Sequence, residues 1–277
     1  MSATTLKPPT DAPAAPAVRK DESRIGPRAH VRHTTALVRR NLLWIRQDPE
    51  SMFDVVLMPI VLTLLFVFVF GGAIAGDQET YVNYVVPGLM AMMGMNIAMG
   101  VGTGFNQDFQ TGVMDRFRSL PIARSSVLIA KIIVEIGRML VATSILLAVG
   151  FAIGLSVDSV PGLLAAVGLS LVFGSALMWI FLTMGVMMKN AQAIQGMAML
   201  VLMPLQFGSS IFAPTESMPG WLQTFTGYNP LSSLADAARN LINGGPLAHD
   251  VLMVLLWSGA ITAVMAPVAI HKYRTRT

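Results

Sequence analysis

The chain has 277 residues, of which 54% are hydrophobic and only 12% charged, and its mean hydropathy is +0.62. Soluble domains carry about 25% charged residues, so this composition excludes a soluble enzyme and predicts an all-α integral membrane protein. The chain contains no cysteine, which excludes disulfides and thiolate chemistry. Its formal charge of +4 is interpreted below from where the basic residues lie.

Metal-binding and nucleotide-binding patterns have little support in the sequence. His30 and His33 are close together but stand among arginines without a nearby carboxylate, so we predict no metal site. Glycine precedes lysine nowhere in the chain, which excludes a phosphate-binding P-loop. If ATP drives this protein, a separate chain must bind it.

The N-terminal part divides into a polar tail and an amphipathic segment. Residues 1–29 are rich in proline, alanine and charge and are predicted to be disordered. Residues 30–48 carry arginines seven residues apart, at Arg32, Arg39 and Arg46, beside apolar residues at helical spacing. This pattern predicts an interfacial helix on an anionic lipid surface, with a solvated cytosolic helix as the alternative.

Six apolar runs follow, each long enough to span a bilayer. They are Val55–Ala75, Tyr84–Phe105, Met139–Val157, Val160–Met188, Ala191–Ala213 and Val251–Ile270. Only Lys189 and Asn190 separate the fourth run from the fifth, which predicts a tight hairpin. Residues 125–138 are predicted to form an interfacial lead-in to the third run. Residues 49–277 are thus predicted to form one six-span domain.

The basic residues predict the orientation in the membrane. Eighteen of the 19 lysines and arginines lie before the first run, between the second and third, at Lys189, or after the sixth. Arg239 alone lies in the alternating segments. Because basic residues concentrate in cytoplasmic loops, both termini are predicted to be cytoplasmic, in the cell membrane. This asymmetry also explains the basic pI without a nucleic-acid partner.

The predicted cytoplasmic segment 106–126 contains a candidate docking element. Met114–Leu120 has the composition of a short amphipathic helix, which Pro121 would end. Phe117 and Leu120 would be its apolar side chains. Docking of a soluble partner and a loop anchored at lipid headgroups are both consistent with this pattern. The candidate residues are Met114, Asp115, Arg116, Phe117, Arg118, Ser119, Leu120 and Pro121.

The predicted external segment 214–249 contains a second amphipathic helix. Asn229 and Pro230 form a helix start, and Gly244 a helix end. Asp236 and Arg239 are spaced to pair at i and i+3. The segment is interpreted as an external gate built on Asn229, Pro230, Asp236 and Arg239, or as an ordinary interfacial cap.

Charged residues at the start of the third run predict a structural ion pair. Glu135 is spaced to reach Lys131 at i−4 and Arg138 at i+3. Ionisable groups near a membrane usually pair or face the protein interior. A role in transport is the weaker alternative.

The second run contains the candidate contacts for a transported molecule. Met92, Asn96 and Met99 share one helical face, with Met95 beside them. Thioethers suit a cavity that accepts several shapes, although such residues also serve helix packing. The fifth run adds Gln206 and Phe207 as candidate polar and stacking contacts.

Three blocks of sequence, in the same order, resemble one transporter family. DRFRSLPIARSSVLIAK (Asp115–Lys131), preceded by Gly112, is similar to the cytoplasmic coupling segment of ABC type-2 exporter permeases, in the daunorubicin-resistance drug-exporter branch. Arg46–Pro49, followed by Pro59 inside the first run, resembles the segment with which members of that family enter the membrane. Phe212–Ile242 resembles the external segment before its last span.

This resemblance implies a function that composition alone does not show. Two such permeases would pair with two copies of a separate ATPase, which would bind ATP and Mg²⁺ and push on Met114–Pro121. The permease dimer would export amphipathic drugs or antibiotics by alternating access, and short external helices would re-enter the membrane. A lipid, polysaccharide or lipid-linked glycan is the alternative cargo within the same family.

The sequence gives little support to two other classes of membrane protein. An intramembrane enzyme needs a nucleophile with a base, paired carboxylates or metal ligands inside the bilayer, and the runs offer serine and threonine without a plausible base. An ion channel would be indicated by charged rings or a filter motif. The sequence shows neither pattern.

Overall fold

The computed structural model describes residues 32–39, 41, 49–113 and 124–275, and the regular structure in those ranges is helical. After a helical segment at 32–39, the α-helices are α1 (Pro49–Leu65), α2 (Gln78–Gln110), α3 (Arg124–Ala152), α4 (Val160–Met187), α5 (Ala191–Phe207), α6 (Gly220–Tyr228), α7 (Pro230–Asn243) and α8 (Ala248–Thr275). A π-helical turn (Phe66–Phe70) and a short α turn (Gly71–Ile74) extend α1. The predicted tail 1–29 and most of the predicted helix 30–48 lie outside the described residues.

Helices α2 and α4 form the centre of the bundle. They pack against each other along most of their length, with α3 and α5 against α2 and with α8 against α4. α7 lies against α2, α4 and α8, and α1 packs mainly on α3. In each candidate span, burial was compared over the 18 residues of highest mean hydropathy. That stretch is 72% buried in α2 but only 11% buried in α8. α2 is thus the core helix, and α8 lies at the periphery.

Apolar side chains form two clusters. One surrounds the N-terminal half of α2 and includes Tyr81 and Leu146. The other extends along α2 from Ala91 to Phe105 and includes Phe181, Ile194 and Leu234. Leu37 of the N-terminal helical segment belongs to this cluster and is 9% exposed. The predicted interfacial helix therefore packs part of its apolar face on protein.

Five segments are long and apolar enough to cross a membrane. They are Val55–Ile74, Gln78–Gln110, Ser125–Ala152, Val160–Met187 and Ala248–Thr275. They match five of the six predicted runs and make the chain a multi-pass helical membrane protein. α5 has 17 residues, so it is about 26 Å long against a hydrocarbon thickness of about 30 Å.

The predicted boundaries of α5 and α3 are wrong. The fifth run was predicted to continue to Ala213, but α5 ends at Phe207 and Gly208 caps it. The N–H of Gly208 donates to the carbonyl oxygen of Pro204 at 2.8 Å and closes the last turn. The region 125–138, predicted as an interfacial lead-in to the third run, is helical and continuous with it in α3, while its interfacial position stays a prediction. The run predicted to reach Val157 ends at Ala152, followed by Gly154 with a φ of +108°.

Short connections hold the helices in place. The turn between α4 and α5 is tight, as predicted, and the Asn190 side chain caps α5 by accepting from the N–H of Ala193 at 2.8 Å. At the opposite end of the bundle, Asp77 caps α2 through the N–H of Thr80 at 2.7 Å. The Gly102 backbone approaches α4 so closely that an added Cβ would lie 2.6 Å from the carbonyl oxygen of Phe181. Small residues thus permit the central contact.

Candidate functional site

A densely bonded polar cluster surrounds Arg239 of α7, whose side chain is 11% exposed. We call Tyr84, Ser210, Ile211, Asp236 and Arg239 the Arg239 cluster. Nε of Arg239 donates to the carbonyl oxygen of Tyr84 at 2.8 Å, and the guanidinium lies 3.8 Å from the centre of the Tyr84 ring. Its terminal nitrogens donate to the carboxylate of Asp236 and to the carbonyl oxygens of Ser210 and Ile211. One side chain therefore joins α2, α7 and the segment after α5.

Further hydrogen bonds hold the segment after α5. The Tyr84 hydroxyl donates to the carbonyl oxygen of Ser210 at 2.6 Å, and the Ser210 hydroxyl donates to Asp236 at 2.8 Å. The N–H of Ser210 donates to the Ser232 hydroxyl at 3.2 Å, and the Tyr81 hydroxyl donates to the carbonyl oxygen of Phe212 at 3.0 Å. Residues 208–211 are buried and non-helical, so these bonds satisfy an irregular backbone.

Burial shapes the electrostatics of the pair on α7. It raises the pKa of Asp236, while the Arg239 charge and the Ser210 hydroxyl oppose that increase. It lowers the pKa of Arg239, which the neighbouring Tyr84 and Asp236 oppose. The two groups form the ion pair that their spacing predicted, and each compensates part of the desolvation cost of the other.

The predicted helix start at Asn229 joins α7 to α5. Its Nδ2 donates to the carbonyl oxygens of Leu205 at 2.7 Å and Gly208 at 2.9 Å, and its Oδ1 accepts from the N–H of Leu231 at 3.0 Å. Pro230 occupies the first helical position. Asn229 thus caps the start of α7 and satisfies carbonyls at the end of α5. The structure therefore places all four candidate gate residues in or next to α7.

The candidate cavity residues do not form one open face. Met95 is 1% exposed and belongs to the core, where its sulfur lies 3.9 Å from Nε2 of Gln206. Met92 and Met99 are half-buried and pack against different apolar clusters. Phe207 is 62% exposed, and Asn96 is half-buried. The structure brings together α2 and α5, as predicted, but contact with cargo stays a prediction.

An aromatic row lies beside the Arg239 cluster. Phe66, in the π-helical turn, stacks on Phe212 with ring centres 4.5 Å apart, and Phe207 lies 5.5 Å from Phe212. Phe66 is not among the site residues that the sequence predicted. The available signal was the run FVFVF at Phe66–Phe70, but stacking across distant segments depends on the fold.

The charged residues of α3 form the predicted local pairs. Oε2 of Glu135 lies 2.9 Å from Nη1 of Arg138, and its Oε1 lies 3.9 Å from Nζ of Lys131. The Glu135 side chain is 5% exposed, whereas both partners are about one-fifth exposed. The carboxylate is therefore buried against the bundle with a cation on each side.

The opposite end of α2 carries a second polar junction, whose residues are not among the predicted site residues. Asn106 is fully buried, and its amide donates to carbonyl oxygens at the end of α4. The available signal was an asparagine at the end of an apolar run. The candidate docking element Met114–Pro121 follows this junction and lies outside the described residues.

Comparison with known proteins places the chain in a family. Residues 32–243 match the ABC-2 type transporter family. The chain is 35% identical over 240 residues to the daunorubicin resistance ABC transporter permease protein DrrB1 of Streptomyces coeruleorubidus, a match that covers 86% of this chain and 84% of the relative.

More distant relatives carry related names. The probable doxorubicin resistance ABC transporter permease protein DrrC of Mycobacterium tuberculosis is 24% identical over 238 residues, which cover 84% of this chain and 85% of the relative. The putative transport permease ycf38 of Cyanophora paradoxa is 19% identical over 209 residues, or 74% of this chain and 72% of the relative. The resemblance drawn from the sequence blocks is thus confirmed, and the chain belongs to the ABC-2 type transporter family.

Proposed function

We propose that this protein is the membrane-spanning permease subunit of an ATP-driven exporter that moves amphipathic drugs or antibiotics out of the cell. The observation that carries this proposal is the match to a daunorubicin resistance permease, which is 35% identical and covers 86% of the chain. The helical, multi-pass architecture supports it. A second relative is named as a probable doxorubicin resistance permease, and this name indicates the same class of cargo.

The proposed topology has six spans with both termini in the cytoplasm. The five long helices would cross fully, and α5 would be the sixth span despite its 17 residues. Residues 208–211 are buried, and the carbonyl oxygens of Gly208, Ser210 and Ile211 accept hydrogen bonds from side chains, so non-helical backbone at membrane depth would be tolerated there. The distribution of basic residues supports the orientation.

A separate ABC ATPase would supply the energy. Two copies, each binding ATP and Mg²⁺, would contact the cytoplasmic element Met114–Pro121 of two permease copies. Closure of the ATPases would switch the permease dimer between inward-facing and outward-facing states. Membrane lipids would surround peripheral helices such as α8, whose most apolar window is 11% buried.

The candidate external gate is α7 with its anchoring residues. Asn229 and Pro230 would fix the start of α7, while Asp236 and Arg239 would fix its middle. Because these residues bond to α2 and to the segment after α5, the gate would move together with those parts.

A lipid or glycolipid is the second candidate cargo. The α5 side chains Leu200 and Phe207 are 77% and 62% exposed, so a lipid tail would find an apolar surface next to the candidate cavity. Met92, Met95, Asn96, Met99, Gln206 and Phe207 would contact either kind of cargo. The choice between them depends on measured transport.

Co-purification with the ATPase tests the family-level mechanism. The permease and the ATPase encoded beside it would be expressed together, extracted in mild detergent and compared with a Phe117→Ala/Leu120→Ala variant. We expect ATP-hydrolysing activity to accompany the wild type and to be lost from the variant. A wild type that retains no ATPase would contradict the proposal.

Uptake into inverted vesicles tests the cargo. With ATP, vesicles that contain the complex should accumulate daunorubicin, and those that contain Met92→Leu/Met99→Leu should show a changed preference among cargoes at unchanged protein level. Fluorescent phospholipid, offered in parallel, distinguishes the second candidate. Unchanged transport of every compound would contradict the cavity assignment.

A further inference from the structure

The side chain of Asn106 caps the end of α4 from the neighbouring helix. Asn106 is 0% exposed. Its Nδ2 donates to the carbonyl oxygen of Gly185 at 3.0 Å and to that of Met188 at 2.8 Å. Carbonyls in the last turn of a helix lack partners within that helix, so Asn106 of α2 supplies bonds that α4 does not supply itself.

Gln110 extends this junction one turn further along α2. Its Nε2 donates to Oδ1 of Asn106 at 2.9 Å and to the carbonyl oxygen of Lys189 at 3.1 Å. Lys189 lies in the turn between α4 and α5, next to the Asn190 side chain that caps α5. Two amides of α2 therefore hold the whole α4–α5 turn.

Close backbone contact makes the same junction stiff. A Cβ added to Gly185 would lie 2.6 Å from the carbonyl oxygen of Gly102. Helices this close have no room to slide without breaking the hydrogen bonds of Asn106. A displacement of the end of α2 must therefore carry the end of α4 with it.

The junction directly precedes, along the chain, the segment expected to contact the ATPase. Gln110 is the last residue of α2, and the candidate docking element begins at Met114. Asn106 and Gln110 are therefore the described side-chain links that are nearest to that element in sequence.

We propose that Asn106 is a positioning residue that transmits movement of the docking element to the α4–α5 hairpin, with Gln110 as its support. This inference rests on the proposed function, because it assumes that ATP hydrolysis displaces the segment after α2. The transmitted movement reaches Gln206 and Phe207 at the far end of α5, where the candidate cavity lies.

The test compares ATP hydrolysis with transport in the same vesicles. Asn106→Leu keeps a similar volume but removes the donors. We expect hydrolysis by the complex to stay within about twofold of wild type while ATP-driven daunorubicin uptake falls about tenfold, as the loss of buried hydrogen bonds allows. The ATP consumed per molecule transported therefore rises about tenfold. Asn83→Leu, which removes an amide link from the other end of α2 to Ser156, should leave that ratio unchanged.

A milder variant keeps the test decisive if Asn106→Leu fails to fold. Gln110 is exposed, and Gln110→Leu removes the bond to Lys189 while Asn106 stays in place; a smaller rise in the same ratio is expected. Hydrolysis and transport that fall in proportion, or that both stay unchanged, in the folded variant would overturn the inference. Wild-type vesicles without ATP-driven uptake would instead contradict the proposed function.

Discussion

At the residue scale, Arg239 shows why a membrane protein keeps a buried cation. Its guanidinium donates to three backbone carbonyl oxygens and one carboxylate and stacks on Tyr84. A planar fork with five donors suits such a set, whereas an ammonium group does not. The carbonyl oxygens of Ser210 and Ile211 are buried outside any helix and accept from these donors, since buried backbone groups need a partner. We interpret Arg239 as the residue that stabilises this backbone.

Replacement of Arg239 should therefore destabilise the protein. Arg239→Met removes the charged partner of Asp236 and a donor to the carbonyl oxygens of Tyr84, Ser210 and Ile211. Because the Asp236 side chain is 39% exposed and keeps its bond from the Ser210 hydroxyl, we expect a loss of about 1–3 kcal/mol, as for buried groups that lose a hydrogen-bond partner. Arg239→Lys keeps the charge but not the fork, so we expect an intermediate loss. Thermal unfolding in detergent measures both. Lys272→Met, which removes an exposed cation, is the control, and an Arg239→Met protein as stable as this control would refute the interpretation.

Sequence reasoning at this scale succeeds where partners are close along the chain. The pairs of Glu135 and the pair between Asp236 and Arg239 follow from helical spacing alone. The contacts of Arg239 with Tyr84 and Ser210 join residues that are 155 and 29 positions apart. Such contacts depend on how the helices pack, which one sequence does not determine.

At the element scale, the α2–α4 contact depends on glycine. An added Cβ at Gly102 would lie 2.6 Å from the carbonyl oxygen of Phe181, while the space around Gly100 is open. Backbone atoms do not move aside as the end of a flexible side chain does. The two glycines therefore have different roles, although they lie two residues apart in one helix.

Alanine substitution at these two glycines should have opposite effects. Gly102→Ala forces α2 and α4 apart, and overpacking typically costs about 1–3 kcal/mol. Gly100→Ala should be neutral or stabilise the protein by about 0.5–1 kcal/mol, because alanine favours the helix. Thermal unfolding of the two purified variants provides the comparison. Equal midpoints would show that the close approach does not limit packing.

Helix ends were harder to predict than helices. Hydropathy continues through residues 208–213, so the apolar pattern predicted a longer α5. The helix ends at Phe207 because side chains from distant segments, among them Asn229, satisfy the carbonyls at its end. The end of α7 was predictable, since Gly244 adopts the left-handed conformation with a φ of +78° that glycine favours.

The bonds between α7 and the segment after α5 imply that these parts move as one unit. The N–H of Ser210 donates to the Ser232 hydroxyl at 3.2 Å, and the Ser210 hydroxyl donates to Asp236 at 2.8 Å. Nδ2 of Asn229 adds a bond to the carbonyl oxygen of Gly208. A displacement of α7 relative to this segment would have to break all three bonds.

At the scale of the whole molecule, burial separates the core from the periphery. The most apolar window of α2 is 72% buried, compared with 28% in the first span and 11% in α8. The exposed faces of the first span and α8 are apolar, so lipid or a second copy would cover them. Composition predicted this class of protein because backbone groups in a bilayer must bond within helices. It did not predict which helix is central, because hydropathy does not report packing between helices: α2 is the most buried of the five long spans and also the least apolar.

Whether α5 crosses the membrane decides between five spans and six. Cysteine labelling can test this, because the chain has no cysteine of its own and each introduced cysteine is the only thiol. Thr111, Lys189 and Ser217 are exposed, and each would be replaced singly by cysteine and labelled in intact cells with a membrane-impermeant maleimide. If α5 crosses the bilayer with the proposed orientation, Ser217→Cys reacts from outside, whereas Thr111→Cys and Lys189→Cys react only after permeabilisation. A five-span chain would put Lys189 and Ser217 on the same side, because only α5 and its flanking turns separate them. Labelling of both from one side would therefore overturn the six-span topology, even if every other helix boundary is correct.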